Sequence, residues 1–367
     1  MKILILQPEK NTLKYCLLNK NEGILVKGKI ETYRDNLEGT PNLFEIKAKL
    51  YEKSILQNRD LSPECIVIRS LFGGKEFYKP EIVNEFVIDK LKKLVSLAPL
   101  HIPAIINLCE NAPKVFEGIK VIVVFDTAFF FSLPEPEKNY AIDIHTLKKM
   151  GVFRTGYKGI FHEAAAKQAT LYFKENMIKK PAKILSICLE PRPEAAAIIG
   201  ERAVMVTSGA TPLEGLIGDT SCGDIDPGIL ITLNKELKWG YEMINKLLTE
   251  ESGLSGLAGK PVKMDEIFSE NKQNYDEIRN IVMYKLLQTA GAAAAVMGSI
   301  DIIIFSGKYR RAAETIGPWL VEKLSFLRRK KGEPKLTWQI LKKYVEEIIS
   351  EDVEKILSHI KNIKSQI

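Results

Sequence analysis

The sequence GATPLEGLIGDTSCGDIDP, at residues 209–227, places four glycines and four carboxylates between two hydrophobic runs. Its segment 211–214 has the form of a helix start, since Thr211 can cap the helix, proline suits the first helical position and Glu214 can reach back to the cap. Three carboxylates follow on loop-like sequence, where we expect them to be solvated and available to a cation: Asp219, Asp224 and Asp226. An ordinary acidic surface loop would show the same composition.

The bulk composition is that of a globular protein with more than one domain. A chain of 367 residues favours two domains, and 46% hydrophobic residues are ample for buried cores. The formal net charge of +7 is mild for this length and permits an anionic ligand. No basic run is interleaved with aromatic residues as single-strand binding requires, so we expect no nucleic-acid partner.

The cysteines and the apolar runs predict a cytoplasmic protein without a membrane span. The five cysteines are scattered and form no CxxC pair, which is typical of reduced thiols. The first residues, MKILILQPEK, predict a strand and lack the layout of a signal peptide. The best apolar run, near residues 290–305, is interrupted by Ser299 and Asp301 and does not reach membrane-spanning length.

Strand-like runs occur in the same order at the start of the chain and in its second half. Each set alternates three apolar runs with a polar loop and a turn, which predicts a β-meander. The runs are residues 2–6, 13–18 and 24–29 in the first set and 184–189, 195–199 and 203–207 in the second. This order predicts an α/β protein with an internal duplication, in which each meander is followed by further α/β elements.

The remaining segments predict the elements that follow the meanders. We expect strands at residues 66–68, 121–125 and 300–305. We expect helices at residues 86–97, 104–112, 237–248, 265–297 and 337–367, a linker or excursion at 133–139, and a glycine-rich turn, SGLSGLAG, at 252–259.

Several motifs make the chain similar to the acetate (carboxylate) kinase family. TPLEGL at 211–216 with GDIDP at 223–227, and VFDTAF at 124–129, match two family signatures. SGLSGLAG resembles the family's SGLLGISG, and Arg69 with Gly73, Gly74 and Phe77 matches part of HRVVHGGEKF. The resemblance extends over nearly the whole chain.

The resemblance implies a fold, a reaction and cofactors. The fold would be two duplicated actin-like (ribonuclease H-like) domains of the acetate and sugar kinase, chaperone and actin superfamily. These domains would be residues 1–140, with a helix at about 341–367 packing back on them, and residues 141–340. The family transfers the γ-phosphoryl group of ATP, with Mg²⁺, to a small carboxylate by positioning the groups and neutralising charge. The resemblance also implies a homodimer.

The resemblance places three candidate catalytic residues. Arg69 follows an apolar run and could bind a carboxylate or phosphate, while Asp126 ends another run and could orient Arg69. The alternatives are a structural pair between these two residues and a turn cap by Asp126. Lys158 stands where the family has a histidine near the transferring group, because RYGFHGTSH aligns with residues 154–162.

Nucleotide and metal residues follow by position from the same resemblance. The nucleotide candidates are Lys14, Arg192, Gly209, Thr211, Gly223 and Asp224. Glu214 is the candidate magnesium ligand, and the capping box explains it equally well. We expect His101 and His162 to be packed or surface histidines, and Cys222 to be inert because no base lies beside it in sequence.

The loops that contact phosphate in the family are replaced here. The family's hairpin loops read NxGSSS and GNGSS, whereas residues 7–12 read QPEKNT and residues 190–194 read EPRPE. Proline lacks an N–H and glutamate repels phosphate, so we expect no backbone cradle. Other polar positions of the family are altered too, at Ser221, Ile102, Phe130 and residues 308–312.

These replacements decide between two hypotheses. Losing one preorganised donor costs about 3–4 kcal/mol of transition-state stabilisation, so the combined changes would remove most of the rate enhancement. The leading hypothesis is an acetate-kinase-like protein with weak or lost activity that acts in binding or regulation. ATP and Mg²⁺ are implied by the resemblance, and the altered loops argue against their binding. The competing hypothesis is an active acetate- or butyrate-type carboxylate kinase that uses Arg69, Asp126, Lys158 and Arg192 in a rebuilt site.

Overall fold

The structure is a computed structural model that describes residues 1–9, 11–31, 39–99, 101–269, 275–327 and 335–364. The chain divides into a first unit, Met1–Phe131 with Lys343–Ile367, and a second unit, Ser132–Lys342. The sequence predicts boundaries at residues 140 and 340. No helix among the described residues is both long enough and apolar enough to cross a membrane.

The first unit is built on a six-stranded mixed sheet. Its strands are β1 Lys2–Pro8, β2 Thr12–Asn19, β3 Gly23–Glu31, β4 Cys65–Ser70, β5 Glu81–Ile82 and β6 Lys120–Phe125, in the order β3-β2-β1-β4-β6-β5. β1, β2 and β3 form the predicted antiparallel meander, and β4 and β6 continue the sheet in parallel with β1. Central parallel strands are covered on both faces, which explains the unbroken apolar runs of β4 and β6.

The second unit repeats this plan in a five-stranded sheet. Its strands are β7 Lys183–Cys188, β8 Glu194–Ile199, β9 Arg202–Val206, β10 Ile302–Ser306 and β11 Thr337–Ile340, in the order β11-β10-β7-β8-β9. β7, β8 and β9 form a second antiparallel meander, and β10 pairs in parallel with both β7 and β11. The predicted α/β class with a duplicated meander is confirmed.

Helices cover the sheets and supply the rest of the core. In chain order they are α1 Gly39–Leu56, α2 Glu85–Lys93, α3 Ile102–Val115, α4 Glu135–Lys138, α5 Ile144–Met150, α6 Gly159–Glu175, α7 Pro227–Leu237, α8 Tyr241–Glu250, α9 Gly253–Ala258, α10 Met264–Ile267, α11 Asp276–Met297, α12 Ala313–Lys323 and α13 Val345–Lys364. The helices predicted at 86–97 and 104–112 are confirmed as α2 and α3, with different ends. In the second unit α11 packs on β8, and buried alanines on both elements allow their close approach.

The prediction that the tail is helical from residue 337 is wrong at its start. Residues Thr337–Ile340 form β11, and the helix begins only at Val345. The segment TWQI alternates β-branched and aromatic residues with a polar one, which suits an edge strand. Gly317 on α12 makes room for it, because a Cβ at Gly317 would lie 2.5 Å from the Trp338 ring.

Several further loop and helix predictions differ from the structure. Residues 211–214 start no helix, because Gly215, with φ of 108°, turns the chain directly after them. The helix predicted at 237–248 is found as α8, which begins only at Tyr241, because α7 ends at Leu237 and Lys238 follows it with φ of 56°. The predicted turn at 252–259 contains α9, and the segment predicted at 133–139 as a linker or excursion contains α4. The helix predicted at 265–297 is split into α10 and α11. Residues 270–274, between these two helices, lie outside the described residues.

The strand assignment at the tail is testable at Gln339, whose side chain contacts Gln168 at 2.8 Å. Gln339→Ala and Gln339→Val lose that contact equally. In a strand we expect the valine variant to be more stable by about 0.5–1 kcal/mol, because β-branched side chains suit a pleated surface. Urea unfolding of the two variants measures the difference. A more stable alanine variant would indicate a helix at this position.

Candidate functional site

In the first unit, Arg69 and Asp126 form a buried ion pair at the ends of neighbouring parallel strands. Arg69 lies in β4 and Asp126 directly follows β6. Arg69 Nε and Nη2 lie 3.0 and 2.8 Å from Asp126 Oδ2. Asp126 is fully buried and the side chain of Arg69 is 10% exposed, so each charge offsets the cost of burying the other. Two of the three predicted catalytic residues are therefore in contact.

Gln7 extends this pair to the C-terminal helix. Its Oε1 accepts a hydrogen bond from Arg69 Nη1 at 3.0 Å, and its Nε2 donates to Glu346 Oε1 at 3.4 Å. Glu346 lies buried in the first turn of α13, and Lys27 Nζ is 2.8 Å from the same oxygen. We call Lys27, Glu346, Gln7, Arg69 and Asp126 the first-unit network. Sequence reasoning missed Glu346, because it placed this glutamate inside a helix that starts at residue 337, whereas α13 begins at Val345.

The first hairpin loop ties down Lys14, a candidate nucleotide residue. Lys14 Nζ lies 2.5 Å from Glu9 Oε1, and both side chains are nearly half exposed. The backbone N–H of Glu9 donates to the carbonyl of Thr12 at 2.8 Å, and Lys10 lies outside the described residues. An exposed pair of this kind stabilises the protein little, so its main effect is to occupy the Lys14 ammonium.

In the second unit, Lys158 stands at the start of α6, where a buried carboxylate fixes its backbone. Glu194, the first residue of β8, accepts the backbone N–H groups of Tyr157 at 2.7 Å and Lys158 at 2.9 Å. His162 Nε2 lies 3.2 Å from Glu194, and its Nδ1 lies 2.7 Å from Ser186 Oγ. The expectation that His162 is a packed histidine is confirmed, since it is fully buried.

The pKa of Glu194 reflects these contacts. Burial alone raises the pKa of this carboxyl, but hydrogen bonds from His162, Ser208 and the backbone outweigh burial and hold the pKa below its ordinary value. Glu194 therefore stays ionised and keeps the turn before α6 in place. Among the described residues the Lys158 ammonium has no ion pair, so its charge remains available to an anion.

The second hairpin loop is closed by contacts within the unit. Glu190 Oε1 accepts the backbone N–H of Lys308 at 2.7 Å, and the Pro191 carbonyl accepts the N–H of Asp219 at 2.8 Å. Arg192 is half-buried, and burial lowers its pKa. Its guanidinium makes no hydrogen bond or ion pair with the described part of the chain, so the loop offers an arginine rather than backbone N–H groups.

The expectation that Asp219 is solvated is wrong. Its side chain is buried, Tyr309 donates its hydroxyl proton to Oδ2 at 2.7 Å, and the backbone N–H of Met264 lies 3.3 Å from Oδ1. Burial raises the pKa of Asp219. Asp224 and Asp226 are exposed, and they accept the N–H groups of Gly215 and Gly228, each at 2.8 Å. All three aspartates thus support the backbone of the loop.

Glu214, the candidate magnesium ligand, lies in a cluster of donors. Tyr140 donates its hydroxyl proton to Oε2 at 2.6 Å, and Arg154 pairs with Oε1. Gly209 makes this possible, because a Cβ there would lie 1.8 Å from Glu214 Oε2. The capping-box interpretation is wrong, since exposed Thr211 starts no helix and Glu214 points to Tyr140 and Arg154. Gly223, with φ of 70°, packs against the Gly215 carbonyl and closes the loop.

The carboxylates do not fit a magnesium ion. Mg²⁺ takes oxygen ligands in octahedral geometry and would supply charge neutralisation on a phosphate. The described residues contain no group of three metal-ligating side chains. Glu214, the candidate metal ligand, is paired with Arg154, and two further carboxylates, Asp126 and Glu346, are paired with Arg69 and Lys27.

Several positions at which this chain differs from the family that it resembles are buried in the core, and Cys222 is unreactive. Ile102 and Phe130 are buried apolar side chains, and Ser221 is buried. Burial raises the pKa of the Cys222 thiol, which agrees with an unreactive cysteine. His101 is exposed at the start of α3. The catalytic, nucleotide and metal roles assigned from the sequence remain predictions.

Comparisons with known proteins agree on one family. The model of the acetokinase family matches residues 2–360. An acetate kinase of Clostridium novyi (strain NT) is 29% identical over 361 residues, which cover 91% of this chain and 89% of that protein. An acetate kinase of Coprothermobacter proteolyticus is 30% identical over 353 residues, which cover 89% of this chain and 88% of that protein.

Solved structures agree on the fold. The crystal structure of Porphyromonas gingivalis acetate kinase matches with a TM-score of 0.80 at 24% identity, covering 97% of this chain and 99% of that chain. A propionate kinase from Francisella tularensis matches with a TM-score of 0.78 at 23% identity, covering 96% of this chain and 98% of that chain. The predicted α/β fold with two duplicated actin-like domains is confirmed.

The buried contact between Glu194 and His162 predicts a pH-dependent stability. Because the folded-state pKa of Glu194 is lowered from 4.5, its ionised form stabilises the protein above that pH, and this contribution is lost as the pH falls through the folded-state value. We expect Glu194→Gln to lower the free energy of unfolding by about 3 kcal/mol at pH 7, with a shrinking difference at acidic pH. Urea unfolding between about pH 2.5 and pH 7 measures the difference, which shrinks only below pH 4.5. Exposed Glu201→Gln is the control, and equal stability of wild type and Glu194→Gln at pH 7 would contradict the prediction.

Proposed function

Because the chain belongs to the acetokinase family, we propose that it is an acetate-kinase-like protein with weak or lost ATP:carboxylate phosphotransferase activity. In this proposal it acts as a binding or regulatory protein. The observation that carries the proposal is the second hairpin loop, in which Glu190 and the Pro191 carbonyl are bonded within the unit. A phosphate approaching this loop would meet a glutamate and two prolines in place of backbone N–H groups.

The ligand in this proposal is a small carboxylate or another anion. Lys158 and Arg192 are half-buried basic residues with no ion pair in the described part of the chain. A half-buried cation attracts an anion more strongly than an exposed one, because less solvent screens the pair. Glu194 accepts the backbone N–H of Lys158 and so holds the backbone from which the lysine side chain extends. This contact supports the proposal.

A second candidate function is an active carboxylate kinase with a rebuilt site, producing acyl phosphate and ADP from ATP and a short-chain carboxylate. The buried pair of Arg69 and Asp126 favours this candidate. An arginine held by a carboxylate is pre-oriented for an anionic group, and phosphoryl transfer depends mainly on such positioning. ATP and Mg²⁺ are implied by the family, although the donor set described above does not fit the metal.

Hydroxamate trapping of acyl phosphate separates these two candidates. The assay contains ATP, Mg²⁺ and acetate, propionate or butyrate. We expect no product above a heat-treated control, because the phosphate loops lack their backbone donors.

Product that is lost in Arg69→Ala would contradict lost activity and establish the second candidate. Product that survives both Arg69→Ala and a further purification step would come from a site of this protein that does not need Arg69, and would likewise contradict lost activity.

We also propose a homodimer, formed through the surface of α7 and the start of α8. α7 contains no buried side chain, although its sequence is largely apolar. Large apolar side chains are exposed along this segment, namely Ile229, Ile231, Leu237, Tyr241 and Met243. An apolar patch of this kind is typical of an interaction surface, and a two-fold dimer is the commonest assembly of identical chains.

The dimer predicts a specific effect of charge on α7. Ile231, 68% exposed, becomes buried in the proposed interface, so Ile231→Glu is expected to convert the dimer to a monomer in sedimentation velocity. Leu56→Glu, at an 84% exposed position on α1, is the matched control and is expected to leave the dimer intact. A wild-type monomer, or a dimer unaffected by Ile231→Glu, would contradict the proposal.

A further inference from the structure

We propose that Lys27 takes the place of a divalent cation at Glu346, so that the first-unit network binds no Mg²⁺ while this lysine is present. The network contains two carboxylates and two basic side chains. Asp126 is matched by Arg69, and Glu346 is matched by Lys27. A divalent cation at Glu346 would meet the Lys27 ammonium at the same oxygen, and two cations side by side in a partly buried region repel each other.

The environment of Glu346 explains why a lysine is present. Only 7% of its side chain is exposed, and an ionised carboxylate at this depth costs free energy unless a cation or hydrogen-bond donors reach it. Lys27 Nζ lies 2.8 Å from Oε1. The Lys27 side chain extends from β3 and is half exposed, so its ammonium reaches the buried oxygen while part of the side chain stays in solvent.

The orientation of Gln7 turns its amide oxygen away from Glu346. Arginine can only donate hydrogen bonds, so the contact between Arg69 Nη1 and Gln7 at 3.0 Å fixes the amide oxygen toward Arg69. The amide nitrogen then faces Glu346 Oε1 at 3.4 Å. Glu346 thus meets two N–H donors, Lys27 and Gln7, on one oxygen, whereas Mg²⁺ would need oxygen ligands at about 2.0–2.1 Å.

This inference goes beyond the proposed function and does not depend on whether kinase activity remains. It assigns to Lys27 the charge-neutralising role that a metal ion would otherwise have at Glu346. It follows that removing the ammonium should expose a carboxylate that attracts a divalent cation, and that the gained binding should require Glu346.

The experiment is a titration of the full chain with Mn²⁺, followed by electron paramagnetic resonance of free Mn²⁺, without nucleotide. The measured quantity is the part of the Mn²⁺ binding by each protein that is lost when Glu346→Gln is added to it. We expect none in the wild type. In Lys27→Met we expect Glu346-dependent binding at Mn²⁺ concentrations at least about tenfold below the highest concentration at which the wild type shows none, the low end of the range by which the groups around a metal site alter its affinity.

Matched variants keep the result interpretable. Lys29→Met removes a lysine from the same strand, where Lys29 pairs with exposed Glu31, and is expected to gain no binding. Lys27→Arg keeps the cation and is also expected to gain none. If Lys27→Met fails to fold, Lys27→Gln replaces it, because its amide keeps a hydrogen-bonding group and adds an oxygen ligand.

Two outcomes would overturn the inference. One is Mn²⁺ binding by the wild type that Glu346→Gln abolishes. The other is a folded Lys27→Met or Lys27→Gln protein whose binding equals that of the wild type. The Mn²⁺ titration contains no ATP and measures no turnover. Product formation in the separate hydroxamate assay would therefore contradict lost activity without altering either binding result.

Discussion

The structure depends on pairing its buried carboxylates with donors from its own chain. Asp126 is held by Arg69, Glu346 by Lys27 and Glu194 by His162. An unpaired carboxylate at such depth would cost several kcal/mol, so each of these contacts stabilises the fold. The same contacts also decide the chemistry, because a carboxylate engaged by a basic side chain is a poor ligand for a metal.

This constraint links the family fold to the altered function that we propose. The duplicated meanders and parallel strands bring Arg69 beside Asp126 and place Lys158 at the start of α6. The hairpin loop at residues 190–193, however, is bonded within the second unit rather than left open. A scaffold can keep its core while the groups at its loop tips change, because loops contribute little to the packing that stabilises the sheets.

Sequence reasoning predicted the sheets well and the ion pairs poorly. Buried strands such as β4 and β6 read directly as apolar runs, and the repeated order of elements gave the duplication. Glu346 and Glu194 carry no local pattern, since their partners lie far away in sequence. The helix start predicted at residues 211–214 was wrong because Gly215 turns the chain and Glu214 contacts Arg154 and Tyr140, which no short-range rule reveals.

The most direct test of this account is a crystal structure of the protein soaked with Mn²⁺ and a non-hydrolysable ATP analogue, with anomalous scattering to locate manganese. The account predicts that the pairs at Asp126, Glu214 and Glu346 remain intact and that no manganese binds these carboxylates. Manganese bound to any of the three, with its arginine or lysine displaced, would contradict it.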